Sequence, residues 1–389
     1  MLSSRGKKKA KSFDIPWRFA VAPTYDKEAN PDGIICFGMA EHGPVRADIA
    51  EYINSNVKFT TNSVCYPSLS TLNALPAAIS SHLNKYFKPV TRITPEMVVK
   101  VNGCSAAGNM LSFALAEPGD AVLVSRPVYG RFELDYGVQG GVEVVYADTD
   151  VDEIFGTACV QRYEEALEKA RERGIRARAL VVVNPHNPVG MCTLNSTSYS
   201  GRCYPPETLV EIMKFCNRHM LHLISDEIYA LCDFASGGLH LGFLISRNFE
   251  LRRACSAMLR FHSPSSTAET IGTAILQDED FVSRFIEKSR RDLAHSYRIA
   301  TSILDQMGIN YLKGGNAGFF LYIDLSPYLS LQTQEHEFAL ARRLLDNGLF
   351  LHPGEEHSKE PGWFRLVFSH DEHVLREGLR RLIKTVKET

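Results

Sequence analysis

What this chain of 389 residues lacks bounds it first. No apolar run approaches the ~18 residues needed to cross a bilayer, and the first residues lack the apolar stretch of a secretory signal. No G-x-G-x-x-G fingerprint is present, which counts against a nicotinamide dinucleotide. Nine cysteines form no C-x-x-C pair, and thirteen histidines are dispersed, so nothing has the spacing of a zinc site. The cysteines read as reduced thiols of a cytoplasmic protein. A formal charge of −2 gives no excess of either sign to attract nucleic acid or a membrane. The one basic cluster, Arg5 with Lys7, Lys8, Lys9 and Lys11, reads as a disordered, solvated terminus over 1–12, with a targeting signal as the alternative. Between Lys214 and Lys288 there is no lysine at all.

What remains is ordinary globular material, 44% apolar and 23% charged, long enough for more than one domain. The middle alternates strand-like and helical segments. "AVLVSRP" (121–127), "VEVVYA" (142–147), "ALVVVN" (179–184) and "LHLISDE" (221–227) are strand candidates. "YEEALEKARERG" (163–174) and "PETLVEIMKFCNRH" (206–219) are amphipathic helix candidates. Short apolar strands separated by helices predict an α/β fold, a mostly parallel sheet with helices on both faces. After about residue 278 a long helical stretch runs to Gly308, and strands at 317–325 and 363–369 with helices at 335–347 and 371–387 predict a smaller α+β domain.

In an open parallel sheet, ligands bind beyond the carboxyl ends of the strands. Asn184 and Asn187 in "VVVNPHNPVG" and Asp226 in "LISDEIYA" all lie at such ends. Asp226 closes an apolar run and would be costly to bury without a cation, for which a protonated pyridine nitrogen serves. Tyr229 could offer its phenol to the same ligand. Cys104, Ser105 and Ala106 in "VNGCSAAGNM" precede an apolar helical run, so they either cradle a phosphate at a helix start or simply let the helix pack closely. Tyr129 is either an aromatic platform or a half-buried core tyrosine.

Together and in this order, these motifs resemble the fold-type I pyridoxal-phosphate (PLP) enzymes, specifically the class I and II aminotransferases and their 1-aminocyclopropane-1-carboxylate synthase-like branch. The resemblance extends from "YDKEANPDGIICFGMAEH" to "WFRLVFS". It implies an arm at 13–44 that joins the small domain, a large cofactor-binding domain at 45–308 and a small domain at 309–389. Asp226 would then pair with the pyridinium nitrogen, and Asn187 and Tyr229 would bond the ring's phenolic oxygen. Tyr129 would stack on the ring, while Cys104, Ser105 and Ala106 would take the phosphate. Arg365 would clamp the substrate carboxylate with a bidentate fork, Glu41 would play a lesser substrate role, and Tyr66 would act near the phosphate across a homodimer interface. The substrates implied are an α-amino acid and a keto acid. Transamination is the expected reaction; cyclopropane-forming γ-elimination and β-elimination at a C–S bond are the alternatives.

The resemblance also exposes a gap. The family carries a catalytic lysine after the "DE-Y" motif, in a pattern like "SKDFxxxGLRLG". Here "DFASGGLHLG" (233–242) matches only the half that follows the lysine. Cys232 stands in the lysine's place, and His240 replaces an arginine that grips the phosphate. A segment containing one strand of the sheet is expected to be missing, while the polar stretch 191–201 interrupts what the family reads as continuous. An insertion and a deletion so close together point either to an imperfect gene model or to a paralogue that retains the pocket without turnover.

Overall fold

The structure, a computed structural model, describes residues 1–14, 22–65, 74–150, 153–190, 204–230, 234–315, 317–354, 357–358 and 360–387. Helices α1 (Ser4–Ala10), α2 (Arg46–Asn56), α3 (Ala74–Tyr86), α4 (Gly103–Leu115), α5 (Phe132–Asp135), α6 (Cys159–Glu172) and α7 (Pro206–Arg218) precede α8 (Phe249–Ala257), α9 (Leu259–His262), α10 (Ser266–Gln277), α11 (Glu279–Met307), α12 (Gln334–Asp346) and α13 (Glu372–Lys387). Strands β1 (Ile35–Cys36), β2 (Val98–Val101), β3 (Ala121–Arg126), β4 (Glu143–Asp148) and β5 (Ala177–Val183) are followed by β6 (His222–Asp226), β7 (Gly242–Ile245), β8 (Phe320–Asp324), β9 (Leu349–Phe350) and β10 (Trp363–Val367).

The central sheet is parallel, in the order β4-β3-β5-β6. Alternation along its strands makes two cores. Leu123, Leu180 and Val182 point toward α6 and α7, where they pack with Tyr163, Leu167 and Phe215. Val122, Val124, Val181 and Val183 point the other way, toward Met110 and Leu111 of α4 and Cys255 of α8. A strand covered on both faces must be apolar at every position, which is why "ALVVV" lacks polar alternation. β2 and β7 pair antiparallel as a separate two-stranded sheet.

In the smaller unit β8 and β10 are antiparallel, and β1 pairs parallel with β9. The Phe37 carbonyl accepts from the Val367 N–H at 2.9 Å, so residues 35–37 run among strands from the far end of the chain. Their side chains join Leu340, Leu344, Leu375 and Leu379 in one core. The basic terminus departs from expectation. Residues 4–10 are helical, not disordered: the Ser3 hydroxyl accepts from the Gly6 N–H, and Lys7, Lys8 and Lys9 sit in the last turn, where the helix dipole favours cations. None of its side chains is buried.

Candidate functional site

The carboxyl ends of β5 and β6 meet as parallel neighbours must. The Asn184 N–H donates to the Asp226 main-chain oxygen at 2.8 Å. Asn187 is buried and has both ends of its amide in use. Its Nδ2 donates to the Tyr229 hydroxyl at 3.1 Å, and its Oδ1 accepts from Arg365 Nη1 at 3.0 Å. Arg365 stands on β10, only 4% exposed, with its other terminal nitrogen donating to the Gly38 carbonyl and its guanidinium 5.0 Å from the Phe320 ring. Tyr229 is held edge-on by Phe320 and Phe319, at 4.9 and 5.7 Å. A hydrogen-bonded chain thus ties the small unit's arginine to the strand-end loop of the large one. Both terminal nitrogens of Arg365 are engaged within the protein.

Asp226 accepts from the Ile228 N–H at 3.2 Å, and no cation pairs with it among the described residues. Burial pushes its carboxyl up to about 6, and the nearby Asp135 adds to the rise. Glu227 is pushed up to about 7 by burial, offset by bonds from the Ser225 hydroxyl at 2.5 Å and from Asn184. Asp226 is half-buried by exposure, and a partly desolvated carboxylate without a counter-charge is what a protonated ring nitrogen would neutralise.

The start of α4 shares this space. The Cys104 thiol is pushed up to about 12 by burial, then by the Asp226 and Asp135 carboxylates. Gly103 takes φ +80°, and a Cβ there would lie 3.7 Å from His240 Nδ1. His240 therefore stands at the helix start, where the resemblance expects a phosphate and an arginine. Burial pushes the Asp135 carboxyl above the usual carboxylate range, offset by the neighbouring Ser105 hydroxyl. Ala106 and Tyr129 are half-buried beside the α4 core, Tyr129 edge-on to Phe132 at 5.3 Å. Glu41 is tied by an ion pair to Arg46, and its carbonyl accepts from the Ser369 hydroxyl at 2.6 Å.

Tyr66, Cys232 and the stretch 191–201 lie outside the described residues. Among the described residues no lysine bonds Asp226, Asn187, Tyr229 or Arg365. Lys100 is buried against Glu269 at 2.5 Å, and Lys288 pairs with Asp48 and Asp292. Two neighbours escaped the sequence reading. The His352 carbonyl accepts from the Arg365 N–H at 3.2 Å, and His357 Nδ1 lies 3.0 Å from the Val128 carbonyl. Burial, then the Arg365 charge, hold both imidazoles well below the usual histidine range. The signal available was their closeness in sequence to "WFRLVF".

The chain matches known proteins over most of its length. The family model "Aminotransferase class I and II" matches residues 58–237 and 232–382, in two pieces that meet at 232–237. Prunus mume 1-aminocyclopropane-1-carboxylate synthase 1 is 30% identical over 420 positions, covering 96% of this chain and 82% of that one. The mouse 1-aminocyclopropane-1-carboxylate synthase-like protein 1 is 28% identical over 400, covering 92% and 77%. The mouse "probable inactive" synthase-like protein 2 is 28% identical over 410, covering 94% and 68%. The 420-position alignment covers 96% of the 389 residues, about 373, so about 47 positions of the Prunus protein have no counterpart here. Among solved structures, an archaeal alanine:glyoxylate aminotransferase has a TM-score of 0.76 at 16% identity, covering 100% of this chain and 96% of that one. A Thermus thermophilus aspartate aminotransferase mutant complexed with tryptophan has 0.72 at 20%, covering 99% of both. These two share the fold.

Proposed function

Because the chain belongs to the class I and II aminotransferases, in their 1-aminocyclopropane-1-carboxylate synthase-like branch, we propose that its strand-end site takes PLP and an α-amino acid, as a transaminase does. We propose further that the chain as it stands holds both without covalent capture or turnover. The supporting observation is the bonded chain Arg365–Asn187–Tyr229 beside the uncompensated Asp226. Bound PLP supplies an electron sink for charge left at the amino acid's Cα. Asp226 would meet the ring nitrogen, Asn187 and Tyr229 the phenolic oxygen, and Tyr129 the ring face. The first turn of α4, Cys104 to Ala106, with His240 would meet the phosphate, and Arg365 the substrate carboxylate.

No described lysine lies with these groups to attach the cofactor or to move a proton at Cα, and that favours binding without turnover. The relation to a "probable inactive" mouse protein is consistent with it. We place the protein in the cytoplasm as a homodimer, the former supported by free cysteines such as Cys36 and Cys255 and the latter by family likeness alone.

Equilibrium dialysis with PLP tests the reading. Wild type should retain cofactor reversibly, Asp226→Ala should weaken retention tenfold or more by loss of ~1.5–3 kcal/mol, and borohydride should add no mass to the protein. A borohydride-fixed adduct, or equal retention by Asp226→Ala, would overturn it.

A further inference from the structure

Beyond the Arg365–Asn187 bond, the two units are joined at a second point beside the residue expected to face the cofactor ring. Val128 of the large unit and His357 of the small one exchange two hydrogen bonds. The Val128 N–H donates to the His357 carbonyl at 2.8 Å, and His357 Nδ1 stands 3.0 Å from the Val128 carbonyl. A carbonyl only accepts, so Nδ1 carries the ring proton. Nε2 is then a bare acceptor, buried and with no partner among the described residues. Both residues are enclosed, Val128 at 2% exposure and His357 at 3%.

Each end of this pair leads directly to a site residue. On the large side the bonded Val128 carbonyl shares one planar peptide unit with the Tyr129 N–H, so holding the first orients the backbone of the second. Tyr129 in turn lies edge-on to Phe132. On the small side His357 belongs to the loop that enters β10. Its N–H donates to the Gly354 carbonyl at 2.7 Å, and a Cβ on Gly354 would lie 2.5 Å from the Trp363 carbonyl oxygen. Glu337 Oε2 accepts from the Gly362 N–H at 2.6 Å. The His357 ring also meets the His352 ring edge-on, centroids 6.0 Å apart, and the His352 carbonyl bonds the Arg365 N–H. Loop, β10 and Arg365 are packed to shift together. A hinge between the units that displaced Arg365 would pull on Tyr129 as well, or break both bonds.

We infer that His357 is a positioning residue, a two-bond latch through which the small unit's hold on a carboxylate and the large unit's hold on the aromatic cofactor reinforce each other. For what Arg365 and Tyr129 face, the latch rests on the cofactor reading above; the bonds themselves do not. By linkage, a carboxylate that settles Arg365 tightens the cofactor, and the cofactor tightens the carboxylate by the same factor. To test it, the full chain is dialysed against PLP with and without saturating propionate, a carboxylate with no amine to condense with the aldehyde. In parallel, amide exchange over 121–132 is followed by mass spectrometry with and without propionate, PLP being left out. Wild type should hold PLP about fivefold more tightly with propionate, and this segment should exchange about threefold more slowly. His357→Ala should lose both effects. Asparagine places an N–H where Nδ1 stands and glutamine places one where Nε2 stands. His357→Asn should therefore restore both effects and His357→Gln neither, a comparison that holds even where His357→Ala fails to fold. The latch is overturned by a wild-type segment 121–132 that ignores propionate, by PLP retained equally with and without it, by either effect surviving in His357→Ala, or by His357→Asn and His357→Gln behaving alike. Exchange that responds in wild type and His357→Asn alone, with no PLP retained by either, supports the latch and sinks the cofactor reading instead.

Discussion

Replacing Asp226 by asparagine should stabilise the unliganded protein and weaken its hold on PLP at once. Burial moves the carboxyl from 3.8 to about 6. A folded value above the unfolded one means that the native state binds the proton more tightly, so stability is greatest below 3.8 and is lost as pH rises through about 6. A shift of about 2 units at 1.36 kcal/mol each amounts to about 3 kcal/mol. Above that window the ionised side chain costs the full amount, and an uncharged isostere removes it. Urea unfolding of wild type and Asp226→Asn should therefore differ by about 3 kcal/mol near pH 8, in favour of the variant, and hardly at all near pH 4. Relief of Glu227 beside it acts in the same direction. An equal difference at both pH values, or a less stable variant near pH 8, would refute the assignment of Asp226 as a desolvated, unpaired carboxylate.

Other perturbations follow from the same geometry. Lys100→Met leaves Glu269 buried without its partner and should cost roughly 3–5 kcal/mol in denaturant melts, most of it recovered by adding Glu269→Leu. Arg365→Lys keeps the charge but loses the fork that reaches Asn187 and Gly38; calorimetric titration with an α-amino acid should show affinity down tenfold or more, with a loss of ~1.5–3 kcal/mol. Gly190→Ala must fit a Cβ 2.5 Å from the Phe320 carbonyl oxygen at φ +63°, so the melting temperature should fall and soluble yield with it. The residue closes the loop that holds Asn187, so cofactor retention should decline as well.

Much of the large unit was legible because its signals are local. Runs such as "ALVVV" are apolar at every position and specify strands buried on both faces, and α6 and α7 carry clean helical periodicity. Asn187, Tyr229 and Arg365 came from motifs, and the structure joins the three by hydrogen bonds. The strands β2 and β7, of four residues each, carry too little pattern to stand out. Asp135 comes against Gly108 and acts on Cys104 only because α5 folds back on α4, a contact between residues far enough apart that no spacing rule reports it. The missing lysine could be read from the chain, but its structural counterpart, an apolar strand left half-bare at the edge of a sheet, is a property of three dimensions. The terminal helix α1 was missed because its lysines look like solvated charge, whereas Ser3 and the dipole organise them.

The helix α11 has 29 residues, about 44 Å at 1.5 Å of rise each. Near its start Val282, Phe285 and Ile286 pack with Tyr52 and Val45; near its end Ile299, Ala300 and Leu304 pack with Leu321 and Phe364. Between Ile286 and Ser296 it buries nothing. Its middle is held as well, by Lys288 on Asp48, Ser289 on His42 at 3.0 Å and Leu293 against the small unit's core, so one continuous helix belongs to both cores and heating that loosens one should loosen the other.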